Sequence, residues 1–273
     1  MSVTVRPPSS SGGSSLHARP GLRQSLHQGA TLAWRGIVKI RRNPLGLTDV
    51  IVGPAIFLVL FAYVFGGAIA GDTDAYLQYV LPGIVGMMTL FATMGVGVAL
   101  STDLSAGVFD RFRSQPVARL APRVGAIATD VVRQTVSLLA LLGFGTLLGV
   151  RLDAGVMSVL AACVLALSFA LALSWAWVLL ALVVPETQAV QGLAAVLILP
   201  LTFASNVFVP TDTMPGWMQG IATANPVGHF VDAMRGLLMG GPVAGPVAAT
   251  LLWMAVFVVV FAPLSLRAYS RRA

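Results

Sequence analysis

Read as a string of apolar and polar positions, the chain falls into long apolar runs separated by short polar connections. Six runs, at 50–70, 79–100, 124–150, 155–184, 190–209 and 246–266, reach the length of about 20 residues that a helix needs to cross a hydrocarbon core. Two of them exceed that minimum, which permits tilt or an extra turn. Segment 1–21 carries PPSSSGGSS and little to bury, and is read as a disordered cytoplasmic tail. It does not read as a secretory signal, because the first apolar run starts too late and is too long.

Between tail and first run, residues 22–42 have a helical rhythm. Leu22, Leu26, Ala33, Ile37 and Ile40 share one face, Arg35, Lys39 and Arg42 another, and Trp34 stands at the border. That distribution suits an amphipathic helix lying in the membrane interface, apolar side down. A solvated helix docked on protein is the alternative. Asn43-Pro44 ends it.

Two connections are more than linkers. In 101–123, Leu104, Val108, Phe109 and Phe112 fall together, with Asp103, Asp110, Arg111 and Arg113 elsewhere and Pro116 closing the pattern. Such a short helix either docks in a groove of a cytoplasmic partner or floats on the membrane. Segment 210–241 is too polar to span and too patterned to be a tether. Phe230, Ala233, Met234 and Leu237 form an apolar stripe, with Asp232 and Arg235 on the polar side. Two short helices broken at Asn225-Pro226 and tucked partway into the outer leaflet would explain it, a re-entrant hairpin.

Composition sharpens this picture. Of 273 residues, 57% are apolar and only 10% charged, against about 25% charged in an average soluble domain. The formal charge of +7 does not signal nucleic acid, because its arginines sit before the first run, between the second and third, and at the end. With six spans both termini lie on one side, and the arginine distribution makes that side cytoplasmic. The expected architecture is all-α and polytopic, a 43–273 membrane domain of six transmembrane helices behind the interfacial helix. Arg is used almost to the exclusion of Lys, which together with the Ala, Val and Gly content suggests a GC-rich bacterial genome and a bacterial cytoplasmic membrane.

Chemistry is conspicuous by what the residues cannot build. His17, His27 and His229 are too scattered for a metal set, and Cys163 is the only cysteine, so no intrachain disulfide or Cys-based cluster forms. The one lysine, Lys39, is flanked by Val38 and Ile40, so no phosphate-binding Gly-Lys-Ser/Thr loop exists. ATP-driven transport would need a separate subunit to hydrolyse ATP. Asp130 and Arg133 share a face of the third run and read as a mutually satisfied pair, with a gate or relay as the functional alternative. Gly145 and Gly149 have the spacing of close helix contact.

Three stretches together resemble a known family: the basic amphipathic helix before the first run, GVFDRFRSQPVAR after the second, and FVPTDTMPGWMQGIATANPVGHFVDAMRG before the last. They look like the permease subunit of type-2 ATP-binding-cassette exporters, close to the daunorubicin/doxorubicin-resistance permeases. The similarity runs from about Leu22 to the C-terminus. It implies a cytoplasmic ATPase subunit that carries ATP and Mg, with no cofactor in this chain. It also implies a second permease as homodimer or heterodimer, membrane lipids as neighbours, and no nucleic acid. By similarity, Leu104, Val108, Phe109, Asp110, Phe112 and Arg113 belong to the coupling helix, and Trp34, Arg35, Lys39 and Arg42 to the connecting helix. Pro215, Trp217, Asn225, Pro226, Asp232 and Arg235 belong to the external re-entrant segment. The cargo would be an amphipathic drug, lipid or glycolipid. An ion-coupled secondary transporter is the competing class, and predicts membrane-embedded acids and transport that survives ATP removal.

Overall fold

The computed structural model describes residues 51–106 and 121–272, and every regular element among them is helical. The tail 1–21, the helix expected at 22–42 with Trp34, Arg35, Lys39 and Arg42, and the residues Val108, Phe109, Asp110, Phe112 and Arg113 lie outside the described residues. In chain order the helices are α1 Gly53–Ile69, α2 Thr73–Ser105, α3 Ala121–Leu147, α4 Val156–Val183 and α5 Thr187–Phe203. After a 3₁₀ turn at Thr211–Thr213 come α6 Gly216–Ala224, α7 Pro226–Met239 and α8 Ala244–Arg272.

α2, α4 and α8, with residues Thr129–Leu147 of α3, are long and apolar enough to cross a membrane, and α1 and α5 are shorter apolar helices. Their outward faces carry Val64, Val164, Val196 and Leu252, each more than 60% exposed. Apolar surface on that scale needs hydrocarbon rather than water around it. This is a membrane protein. Several hydroxyls within its helices are satisfied locally: Thr89, Thr135, Ser174 and Thr250 each donate to the carbonyl four residues back, at 2.7–2.8 Å, which removes a donor that lipid could not solvate.

α2 is the hub. A tight turn precedes it, with Gly71 at φ 71, and Asp72 caps it by accepting from the Ala75 amide at 2.9 Å. α4 comes so close that a Cβ on Gly97 would lie 2.9 Å from the Trp177 carbonyl oxygen. There the Trp177 indole N–H donates to Thr93 Oγ1 at 3.0 Å. α7 enters the same core: Phe230 stacks on Phe169 of α4 with centroids 4.4 Å apart, and Phe257 of α8 meets Phe169 edge-on. α8 otherwise lies at the periphery, with only 6% of its apolar stretch buried.

Three sequence expectations shift. The apolar run at 190–209 is a helix only to Phe203; residues 204–209 form a largely buried turn against α2 that carries Ser205 and Asn206. Hydropathy cannot tell a buried turn from the end of a helix. The connection expected at 101–123 is narrower, because α2 continues through Ser105 and α3 begins at Ala121. Gly145 does make a close contact, its Cβ position 3.0 Å from Leu81, but Gly149 lies beyond α3 at φ 108 with nothing around it. Gly149 thus reverses the chain after the helix instead of packing.

Candidate functional site

The segment joining α5 to α7 is held by two side-chain devices. The first is Asn225, 95% buried at the break between α6 and α7, with its side-chain carbonyl accepting from the Val227 amide at 2.9 Å. This caps α7, and Pro226 occupies the first helical position, where the missing N–H costs nothing. The Asn225 amide nitrogen reaches the other way. It donates to the Leu201 and Ala204 carbonyls at 2.9 and 2.8 Å, acceptors that the end of α5 leaves open. One amide thus ties the end of α5 to the start of α7.

The second device is a polar knot where α2, the turn after α5 and α7 meet. The Arg235 guanidinium donates to Asp232 Oδ1 at 2.8 Å, to the Asn206 carbonyl at 3.2 Å and to the Tyr79 carbonyl at 3.4 Å. It also lies over the Tyr79 ring, 4.1 Å from the centroid, a favourable place for a cation. Tyr79 donates its hydroxyl to the Asn206 carbonyl at 2.9 Å, and the Asn206 amide donates to Asp232 Oδ1 at 2.6 Å. Alongside, Tyr76 donates to the Phe208 carbonyl at 3.1 Å. Burial pushes the Asp232 carboxyl above the ordinary carboxylate range, against the downward pull of Arg235, Asn206 and His229.

Glycines let these segments meet. A Cβ on Gly83 would fall 2.1 Å from the Val207 carbonyl oxygen, and one on Gly86 would fall 2.7 Å from Val231. Of the residues assigned to this segment from sequence, Asn225 and Pro226 form the first device, and Asp232 and Arg235 pair in the second. Pro215 instead starts α6, and Trp217 stands 68% exposed on its outer face with Ile221 one turn on. Tyr79 and Asn206 were not among the candidates. The apolar stripe is as expected: Phe230, Ala233 and Met234 are fully buried and Leu237 nearly so.

At the other end of the hub, Leu104 lies half-buried in the last turn of α2, and Ser101 bonds Thr187 at the start of α5 at 3.1 Å. On α3, Asp130 and Arg133 do pair, at 3.6 Å, and Arg133 also donates to the Ala92 carbonyl of α2 at 3.3 Å. Among the described residues no group of three His, Cys, Asp or Glu side chains is placed to hold a metal.

The side chains of this arrangement tie helix ends and turns together through bonds to backbone carbonyls. Residues 27–239 match the model of the ABC-2 type transporter membrane domain. The chain belongs to the ABC-2 transporter family. Among similar proteins, the daunorubicin resistance ABC transporter permease DrrB1 of Streptomyces coeruleorubidus is 38% identical over 254 residues, covering 93% of this chain and 90% of the relative. The probable doxorubicin resistance permease DrrC of Mycobacterium tuberculosis is 29% identical over 251 residues, 92% of this chain and 89% of the relative. The putative transport permease ycf38 of Cyanophora paradoxa is 26% identical over 208 residues, 75% and 71% of the two chains. As an ABC-2 permease, the chain is a membrane subunit of an ABC exporter.

Proposed function

We propose that this permease moves an amphipathic drug, lipid or glycolipid outward across a bacterial cytoplasmic membrane, powered by a separate ATPase subunit that binds ATP and Mg. Its similarity to drug-resistance permeases over nearly its whole length carries the proposal. Six helices cross: the four long ones together with α1 and α5. At 17 residues each, these two span about 25 Å at 1.5 Å per residue and complete the crossing with their flanking residues. Both termini are then cytoplasmic, and the 210–241 hairpin is external and re-entrant.

Two permeases pair, and the coupling helix at 104–113 passes the ATPase's closure into α2 and α3, the two helices it joins. The helix at 22–42 lies in the cytoplasmic interface. Transport alternates access around a cavity between the two permeases, with the hairpin held against α2 at the outer end. Inside-out vesicles containing this chain and its ATPase provide the test. ATP should drive doxorubicin into them, and a Walker-lysine variant of the ATPase should abolish the uptake. Uptake that needs a proton gradient and ignores ATP would contradict the proposal.

A further inference from the structure

α3 carries a polar stripe that faces α2. Asp130, Arg133, Gln134 and Ser137 follow a three–four spacing, so they share one side of the helix. The stripe begins with the Asp130–Arg133 pair, whose side chains are 39% and 32% exposed. Arg133 crosses to the Ala92 carbonyl, and Gly95 leaves room for it: a Cβ there would stand 3.3 Å from Arg133 Nη2. One residue further in, the stripe enters a crevice between α2, α3 and α4, lined by Met88, Thr89, Gln134, Ser137, Leu141 and Ala166 among others.

Three observations on this crevice converge. The Gln134 side-chain nitrogen is buried without a hydrogen-bond partner, a condition that hydrocarbon surroundings make costly. Thr89 gives its proton to the Val85 carbonyl at 2.8 Å, which leaves its oxygen lone pairs as acceptors. Water-sized spheres can occupy about 20 Å³ of the crevice, above the roughly 10–15 Å³ on that measure that one water requires. A lone amide donor, a hydroxyl acceptor lining the same crevice and room for one small molecule fit a water.

We infer that the crevice is a hydration site for one water molecule, which accepts from Gln134 Nε2 and donates to Thr89 Oγ1. The two sides of α2 then differ in kind. Toward α4 the contact is dry and close, with Gly97 against Trp177 and the indole bonded to Thr93. Toward α3 it is bridged by water and reached along the polar stripe from the Asp130–Arg133 end.

Radiolytic hydroxyl-radical footprinting of the full chain in lipid nanodiscs tests the site, because radicals born at a bound water oxidise the nearest thioether. Met88 lines the crevice, whereas its neighbour Met87 is 96% buried elsewhere in the core and serves as the dry control. Met88 sulfoxide should form well above Met87 sulfoxide in the wild type. That excess should be lost in Gln134→Leu and in the isosteric Thr89→Val. No excess at Met88 in the wild type, which needs no variant to fold, would overturn the site. An excess that persists in both variants would do the same.

Discussion

Arg235 donates to three oxygens on three segments, so its removal strips partners from Asp232 and from the Asn206 and Tyr79 carbonyls together. Arg235→Ala should cost about 1.5–3 kcal/mol, the range for hydrogen bonds to a charged group, read as a lowered thermal midpoint in detergent. Arg235→Lys should recover only part of this, since an ammonium cannot fork between oxygens and lie flat on Tyr79. Full recovery by lysine would mean that charge alone matters. Asn225 permits a sharper experiment, because aspartate there keeps the helix cap but cannot donate. Asn225→Asp should destabilise by about 2 kcal/mol or more, as the Leu201 and Ala204 carbonyls lose their donor and face a carboxylate. An Asp variant as stable as the wild type would reduce Asn225 to a cap.

At the scale of elements, contact between α2 and the turn after α5 depends on one missing side chain. Gly83→Ala would place a methyl 2.1 Å from the Val207 carbonyl oxygen, and a rigid backbone atom cannot step aside. Overpacking of this kind costs about 1–3 kcal/mol. Gly83→Ala should therefore fall at the upper end of that range and weaken export, while Gly67→Ala, with open space at its Cβ, should be silent in parallel thermal-shift and efflux assays. Much of this architecture was legible beforehand. The apolar runs marked six helices, the 3.6-residue rhythm picked out Phe230, Ala233, Met234 and Leu237, and Asn225-Pro226 marked the break between α6 and α7. The knot was not legible. Periodicity reports on one element at a time, whereas Tyr79 and Asn206 are 127 positions apart and meet only when α2 and the turn pack. For the same reason Asp232 and Arg235 read as a polar face, and their engagement with α2 appeared only in the fold. The start of α2 at Thr73 did have a local signal, the Asp72 cap, but a search for apolar runs steps over it.

For the whole molecule, six crossings require the α2 end at Ser105 and the segment at Asp212 to face opposite sides. Both positions are exposed. In a Cys163→Ala background, Ser105→Cys should react with an impermeant maleimide only from the cytoplasmic face, and Asp212→Cys only from outside. Labelling of both from one face would break the six-span topology and the external placement of the hairpin. In the proposed function this chain supplies a path and another subunit supplies the energy; its single lysine, Lys39, sits between Val38 and Ile40 rather than in a Gly-Lys-Ser/Thr sequence. The most direct measurement is gentle extraction of the tagged chain from its native host and identification of what copurifies. A stoichiometric subunit bearing Gly-x-x-x-x-Gly-Lys-Ser/Thr is expected. Recovery of the chain alone, with efflux that survives ATP depletion and stops when the proton gradient collapses, would contradict it.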